Sequence, residues 1–280
     1  MLNLRTKRNT RLILLEIVLI VFLIIWIYPL INILLNSFKP VKDMMLQFLD
    51  APKELRFENY VDAWTKLDFP KAILNTFLVT VFSVGGIVLF GSMAAYKLAR
   101  MKTKLSYVIL MLCISPMLIP FQTIMITLTQ VAKALHLTGS IWGLVIMYWG
   151  ISTPFTIFLY HGFIKMVPIS LDESATIDGA SSFKTFFKII FPLLKSVTIT
   201  SIVINALYIW NDFLLPLLMV SSNKATRTIQ IALYTNFGIH EVKWTLALPG
   251  LIISILPAII FFIIMQKHII KGIAGGAVKG

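Results

Sequence analysis

Apolar residues in this chain come in long runs with no strand-like alternation. Six runs stand out, at about 12–35, 72–99, 105–128, 141–161, 192–218 and 245–266, with shorter polar segments between them. At about 1.5 Å of rise per residue, a helix over each run reaches most or all of the way across a hydrocarbon core of about 30 Å. The pattern predicts an all-α polytopic membrane protein with six transmembrane helices. A basic tail over 1–11 precedes this 12–266 transmembrane domain, a polar tail over 267–280 follows it, and the longest inner segment is 162–191.

The runs differ in what interrupts them. The first carries Pro29 near its outer end, and the outer segment after it, with Phe57, Tyr60, Trp64 and Phe69, is expected to form short interfacial helices without a core of its own. The second contains Gly85, Gly86, Gly91, Ser92, Ala94 and Ala95, small residues that let helix backbones approach closely in lipid. Pro116 and Pro120 interrupt the third and free carbonyls that only protein or a water-lined cavity can satisfy, which makes this helix a candidate pathway wall. The fifth holds Asn205, Tyr208, Trp210, Asn211 and Asp212, and polar groups at membrane depth are functional candidates. Pathway lining is favoured for Asn205 and Tyr208 and bracing for Asp212, with Gln122, Thr123 and Asn75 as further lining candidates.

Composition agrees with the runs. Charged residues make up 13% of the chain, about half the share of a soluble domain, about 25%. Fifteen of the 25 lysines and arginines fall on segments expected inside, including Arg5, Lys7, Arg8 and Arg11 and the group Lys97, Arg100, Lys102 and Lys104. That bias predicts both termini in the cytoplasm. The net charge of +13 is distributed over helix ends and forms no basic stripe with interleaved aromatics, so nucleic acid is not an expected partner. A single cysteine, Cys113, and four scattered histidines give no metal-ligand spacing. Neither GxxxxGK[ST], HExxH nor GxSxG occurs, so the chain is not expected to be an enzyme or to bind a cofactor. No cleavable signal peptide is expected, because the first run is too long for one.

One inner stretch is polar enough to be a docking surface, Pro168 to Pro192, PISLDESATIDGASSFKTFFKIIFP. Ser170 and Glu173 have capping-box spacing. Gly179 after Asp178 supplies a turn, and Ser181 or Ser182 is placed to cap a second helix. Phe183, Phe186, Phe187 and Ile190 recur at three- and four-residue intervals and, with Pro192, are expected to anchor that helix on the membrane end. Pro192 is expected to open the fifth membrane helix. On these features alone the stretch is either a coupling element or an ordinary loop with amphipathic helices.

The same stretch resembles the EAA motif of ABC importer permeases. Glu173, Ala175, Asp178, Gly179, Ala180, Phe186 and Pro192 stand at matching places, with Ser174 where alanine is usual and Ser196 where a second proline is frequent. Ala94-Ala95-Tyr96 through Arg100, Trp210-Asn211-Asp212 and the terminal Gly275 to Gly280 resemble the carbohydrate-uptake branch, the permeases of the MalG type in maltose transporters. The resemblance implies a type I ABC importer transmembrane domain in a bacterial or archaeal inner membrane. The chain is then half of a sugar or oligosaccharide pathway, beside a second homologous permease subunit in a heterodimer. Two cytoplasmic ATPase subunits carry ATP and Mg, and an extracytoplasmic sugar-binding protein delivers the solute. ATPase coupling falls to Glu173, Ser174, Ala175, Asp178, Gly179 and Ala180, and tail contact to the ATPase, in extended form, to Gly275, Gly276 and Lys279. The outer segment around Gly238 matches by position the loop that probes the binding protein. Tyr208, Trp210, Asn211 and Asp212 pair aromatic faces with polar groups, which suits a sugar. The rival readings are an ion-coupled secondary transporter with no ATPase partner, and an ABC importer for a non-sugar solute.

Overall fold

The computed structural model describes residues 10–235 and 242–277, and every multi-residue regular element among them is helical. Of the described residues, those up to 68 together with 235 and 242–253 form one compact unit, and 69–234 with 254–277 form another. Among the described residues four helices are long and apolar enough to cross a membrane, and two further bent pairs bring the number to six when each pair is one span.

In the first unit, α1 (Thr10–Ser37) is exposed at every residue from Leu12 to Ile31, the surface of a helix solvated by apolar surroundings. It runs through Pro29 without a break. Beyond it the chain is held by polar side chains on backbone carbonyls. Asn36 Nδ2 donates to Asn32 O and Phe48 O at 2.8 Å each, and the buried Lys39 Nζ donates to Gln47 O at 2.8 Å and Asp50 O at 2.6 Å. Asn59 Nδ2 donates to Ser37 O and Lys39 O at 2.9 Å each. These bonds fix the short helices α2 (Val41–Leu46) and α3 (Glu58–Lys66) where little apolar area is available to do so.

The second unit is built on α4 (Phe69–Arg100). The expected third helix is not one continuous helix but α5 (Lys104–Ile114), a 3-10 turn over Ser115–Leu118, and α6 (Phe121–Ala134), bent by 106°. Pro120 causes the break by holding Ile119 extended (φ −96°, ψ 120°). Next comes α7 (Ile141–Lys165), which continues past the expected end at 161, and then α8 (Ser170–Ile177). A further arm runs from α9 (Ser182–Thr185) through a π turn (Phe186–Ile190) to α10 (Phe191–Leu193).

The fifth membrane helix also differs from expectation. Pro192 lies within the α9–α10 arm, and α11 (Lys195–Asn211) starts after an 81° bend. It stops where Asp212 turns extended (ψ 135°), before α12 (Leu214–Val220). Then follow α13 (Ile229–Tyr234) and α14 (Trp244–Ala277).

The core of this unit lies where α4, α7 and α11 meet, with Ile87, Leu144, Tyr148, Tyr160 and Ile164 fully buried. Two small residues set the spacing of α4 and α7. A Cβ at Gly86 would lie 2.1 Å from Trp149 Nε1, and one at Gly91 2.6 Å from Thr156 Cγ2. Gly85, expected to act with them, faces open space. Trp149 Nε1 donates to Phe82 O at 3.1 Å, so the indole lies flush against the α4 backbone.

Hydrogen bonds then tie α7 to α11 and its end. Tyr148 OH donates to Asp212 Oδ2 at 2.9 Å, Asn205 Nδ2 to Thr156 Oγ1 at 3.3 Å, and Tyr160 OH to Thr198 Oγ1 at 2.8 Å. Bonds of this kind in a membrane protein contribute about 0.6–2 kcal/mol each.

Gly91→Leu is expected to lower stability by about 1–3 kcal/mol through overpacking against Thr156, whereas Gly85→Leu is near neutral. Thermal melting of the two detergent-purified variants checks the contrast.

Candidate functional site

The stretch from Ile164 to Leu194 is assembled around α8. Its eight residues are too few to hold a helix by propensity alone, so the ends and the buried face decide its position. At the C-terminal end Gly179 takes φ +75°, its N–H donates to Thr176 O at 3.0 Å, and Ala180 N–H donates to Ala175 O at 2.9 Å. This pair of bonds is a Schellman cap. A Cβ at Gly179 would meet nothing within 4 Å, so glycine is needed there for its backbone and not for space.

The N-terminal end departs from the expected capping box. The N-cap position is Ile169, whose carbonyl accepts from Asp172 and Glu173, and Ser170 is already helical. The helix begins directly after Pro168, one residue too early for Ser170 to cap it. Glu173 is therefore exposed with its carboxylate uncommitted to the box. Ser181 caps α9, its Oγ accepting from Lys184 N–H at 3.4 Å.

What fixes α8 to the bundle is Asp172. It accepts a hydrogen bond from Tyr96 OH, and its Oδ2 lies 2.9 Å from Arg100 Nη2. Arg100 Nη1 donates to Ile164 O at 3.3 Å, in the last turn of α7, and to Val167 O at 3.1 Å, just past it. One guanidinium thus joins the last turn of α4, the end of α7 and the first turn of α8, with both members of the ion pair only 15% and 16% exposed. It also sits 6.0 Å from the Tyr96 ring centroid. Sequence reasoning gave Tyr96, Arg100 and Asp172 no site role. The signal available was the four-residue spacing of Tyr96 and Arg100 on one helix face, but the third partner lies 72 residues beyond Arg100.

Apolar contacts complete the seat. Ala175 is buried at 3% exposure, and Phe186 at 2% places its ring 5.1 Å from Tyr96. Of the expected anchors Phe186 and Ile190 are buried, with Leu194 one turn further on. Phe183 is 65% exposed, and Phe187 and Pro192 are exposed too. The π turn at 186–190 changes the register, so residues expected on one face divide between two.

The opposite face of α8 presents Glu173, Ser174, Asp178 and Gly179, all exposed, with Ala180 partly covered. Ala175 points inward and is a seat residue, not part of this face. Ile177, which sequence reasoning passed over, is 86% exposed at the tip, and Met166 and Phe183 are exposed nearby in sequence. Two carboxylates among bare aliphatic side chains make a surface suited to a protein groove.

The expected pathway residues are not gathered in one place. Asn205 is buried between α7 and α11, bonded to Thr156 and Ser201, and Asn75 Nδ2 holds Ala225 O and Arg227 O at 3.0 Å each. Both amides serve packing because each finds partners across a helix contact. Trp210 Nε1 donates to Ser254 O at 3.4 Å, and Asp212 Oδ1 accepts from Leu214 N–H at 3.1 Å. Tyr208 and Asn211 are exposed on α11, and Gln122 is exposed on α6. In the tail, Gly275 and Gly276 are helical within α14 and not extended. Lys279, Gly238, Arg5, Lys7 and Arg8 lie outside the described residues.

The sequence profile described as "Binding-protein-dependent transport system inner membrane component" matches residues 86–275. The chain is similar to the probable starch degradation products transport system permease protein AmyC of Thermoanaerobacterium thermosulfurigenes, at 42% identity over 93% of this chain and 94% of that one. It is also similar to the multiple sugar-binding transport system permease protein MsmG of Streptococcus mutans, at 38% identity over 91% and 93%. Among solved structures, a chain of a bacterial ABC transporter involved in the import of the acidic polysaccharide alginate superposes with a TM-score of 0.82. That match covers 95% of this chain and 99% of the other at 22% identity, and the likeness is one of fold.

Arg100→Ala and Asp172→Ala are each expected to lower the melting temperature, at a cost of about 3–5 kcal/mol if the remaining charge stays buried. The double variant is expected to lose less than the sum, with a coupling of about 1–3 kcal/mol in a thermal-denaturation cycle.

Proposed function

The chain belongs to the family of binding-protein-dependent transport system inner membrane components, and on that premise we propose that it forms half of the pathway of an ATP-driven importer for a sugar or oligosaccharide. The fold is that of a type I ABC importer transmembrane domain. Relatives named for starch degradation products and for multiple sugars favour a carbohydrate over other solutes. In this reading the chain catalyses no reaction. A second homologous permease completes the pathway, two ATPase subunits bind ATP and Mg, and an external binding protein delivers the sugar.

The observation that carries the reading is the exposed face of α8 on a seat made rigid from behind. Glu173, Ser174, Asp178 and Ile177 face outward, while Asp172, Ala175 and Phe186 hold the helix to α4 and α7. An ATPase that closes on nucleotide pushes this face. The push reaches α4 and α7 through Arg100 and Tyr96, and α11 through the arm bearing Phe186. A loose loop would absorb the displacement. The shift from an inward-open to an outward-open bundle then follows from which state the closed ATPase pair binds better. Both termini are on the ATPase side, in keeping with the basic ends.

In this account the exposed side chains that meet a passing sugar are Tyr208, Gln122 and Asn211, the last offering its amide oxygen because its Nδ2 donates to Leu207 O at 2.8 Å, whereas Asn205 is buried and Trp210 is bonded to Ser254 O.

The test is ATPase activity of the reconstituted complex with its binding protein over a panel of sugars. Stimulation by one loaded binding protein supports the reading, and solute uptake by this chain with no ATPase present overturns it in favour of ion coupling. Gly179→Val is expected to abolish most of the stimulated activity. A β-branched residue at φ +75° costs at least the roughly 1–2 kcal/mol of a left-handed residue, about a tenfold loss or more of the seated helix. Gly179→Asn, which tolerates that region better, retains more.

A further inference from the structure

A crevice of about 380 Å³ opens between the end of α4, α5 and α7, with no residue of α8 in its lining. It is lined at one end by Lys102, His161 and Lys165 and at the other by Leu110, Met111 and Phe158. Among the described residues none of the three basic side chains has an ion-pair partner. Thr103, also in the lining, caps α5 by accepting from Ser106 N–H at 3.1 Å, so the positive end of an eleven-residue helix opens on the same place.

The two ends of the crevice lie at different membrane depths. Lys102 and Lys165 stand at the helix ends that the charge bias places on the inner surface. Ile114, also in the lining, is ten residues beyond Lys104 and about 15 Å deeper along α5. A cationic mouth at the interface above an apolar floor inside the hydrocarbon layer matches one molecule in chemistry and in orientation. We propose that this crevice binds an anionic phospholipid of the inner leaflet, its phosphate held by Lys102, Lys165 and the start of α5, its acyl chain on Leu110, Met111 and Phe158. The volume falls at the low end of the range for small-molecule sites, about 300–1,000 Å³, and accommodates a headgroup and the upper part of one chain. Basic pockets between membrane helices on the inner side are where acidic headgroups are bound. The site requires only that the chain spans a membrane, so it stands or falls separately from the sugar reading.

The experiment is native mass spectrometry of the full chain with the subunits that co-purify with it, delipidated and then titrated with phosphatidylglycerol or phosphatidylcholine. The expected result is one tightly held phosphatidylglycerol in preference to phosphatidylcholine. Lys102→Gln with Lys165→Gln is expected to weaken it roughly 30-fold, at about fivefold per lysine near an anionic surface. Met111→Trp, which keeps the charges and fills the floor, is expected to weaken it as well, while Lys184→Gln on α9 leaves it unchanged. Equal retention of the two lipids overturns the proposal, as does unchanged phosphatidylglycerol binding in the double variant. Displacement of the lipid by millimolar inorganic phosphate, with Met111→Trp silent, makes it a phosphate site and overturns the lipid assignment. A photo-crosslinker at Phe158 that captures a second permease subunit and no lipid overturns it too.

Discussion

The guanidinium of Arg100 is the contact on which the rest of the candidate site depends. A helix of eight residues has almost no stability of its own, and α8 is positioned by what it touches. Arg100 gives it a charged partner at Asp172 and at the same time occupies carbonyls at and just past the end of α7. Ile164 O belongs to the last turn, whose carbonyls lack donors within the helix, and Val167 O lies two residues past it. The same side chain therefore satisfies one helix end and fixes another helix. Tyr96, one turn earlier on α4, adds a hydrogen bond to Asp172 and a ring against Phe186. These groups carry the polar link between α8 and the ends of α4 and α7.

The rest of the second unit supports this seat by being stiff where α4 meets α7 and broken elsewhere. Gly86 and Gly91 bring the two long helices together, and hydrogen bonds from Tyr148, Asn205 and Tyr160 fix α11 to α7. The interruptions are local and have chemical causes. Pro120 and the extended Ile119 separate α5 from α6, Leu194 turns the chain into α11, and Asp212 ends α11 while accepting from Tyr148 and from Leu214 N–H. Backbone freed at such breaks is tolerated at membrane depth only against protein or a water-lined cavity. That restricts where a polar solute is able to pass.

Much of this was legible in the sequence, and the parts that were not share a cause. Runs of apolar residues marked the spans, because hydropathy over about 20 residues needs no knowledge of neighbours. Gly179 and Ser181 were legible because caps are local, obeying rules written within four residues. Ser170 was misplaced by the same locality. Its spacing to Glu173 fits a capping box, but Pro168 lets the helix start at once. The Arg100–Asp172 pair was invisible because 72 residues separate its members. Phe183 and Phe187 read as anchors on a 3.6-residue period, and a single π turn sent them outward. Asn205 read as pathway because polarity within a membrane flags function, and the pattern does not say whether the amide has a partner. It has Thr156 and Ser201.

The central claim is that the tip of α8 is buried by an ATPase and not by lipid or solvent. The most direct measurement is the thiol-labelling rate of Ile177→Cys in a Cys113→Ser chain, which removes the single native cysteine. It is taken in the reconstituted transporter with its ATPase subunits and again after they are stripped away. The account predicts slow labelling and a crosslink to the ATPase in the assembled state, and fast labelling once the ATPase is gone. Equal labelling rates in the two states would contradict it.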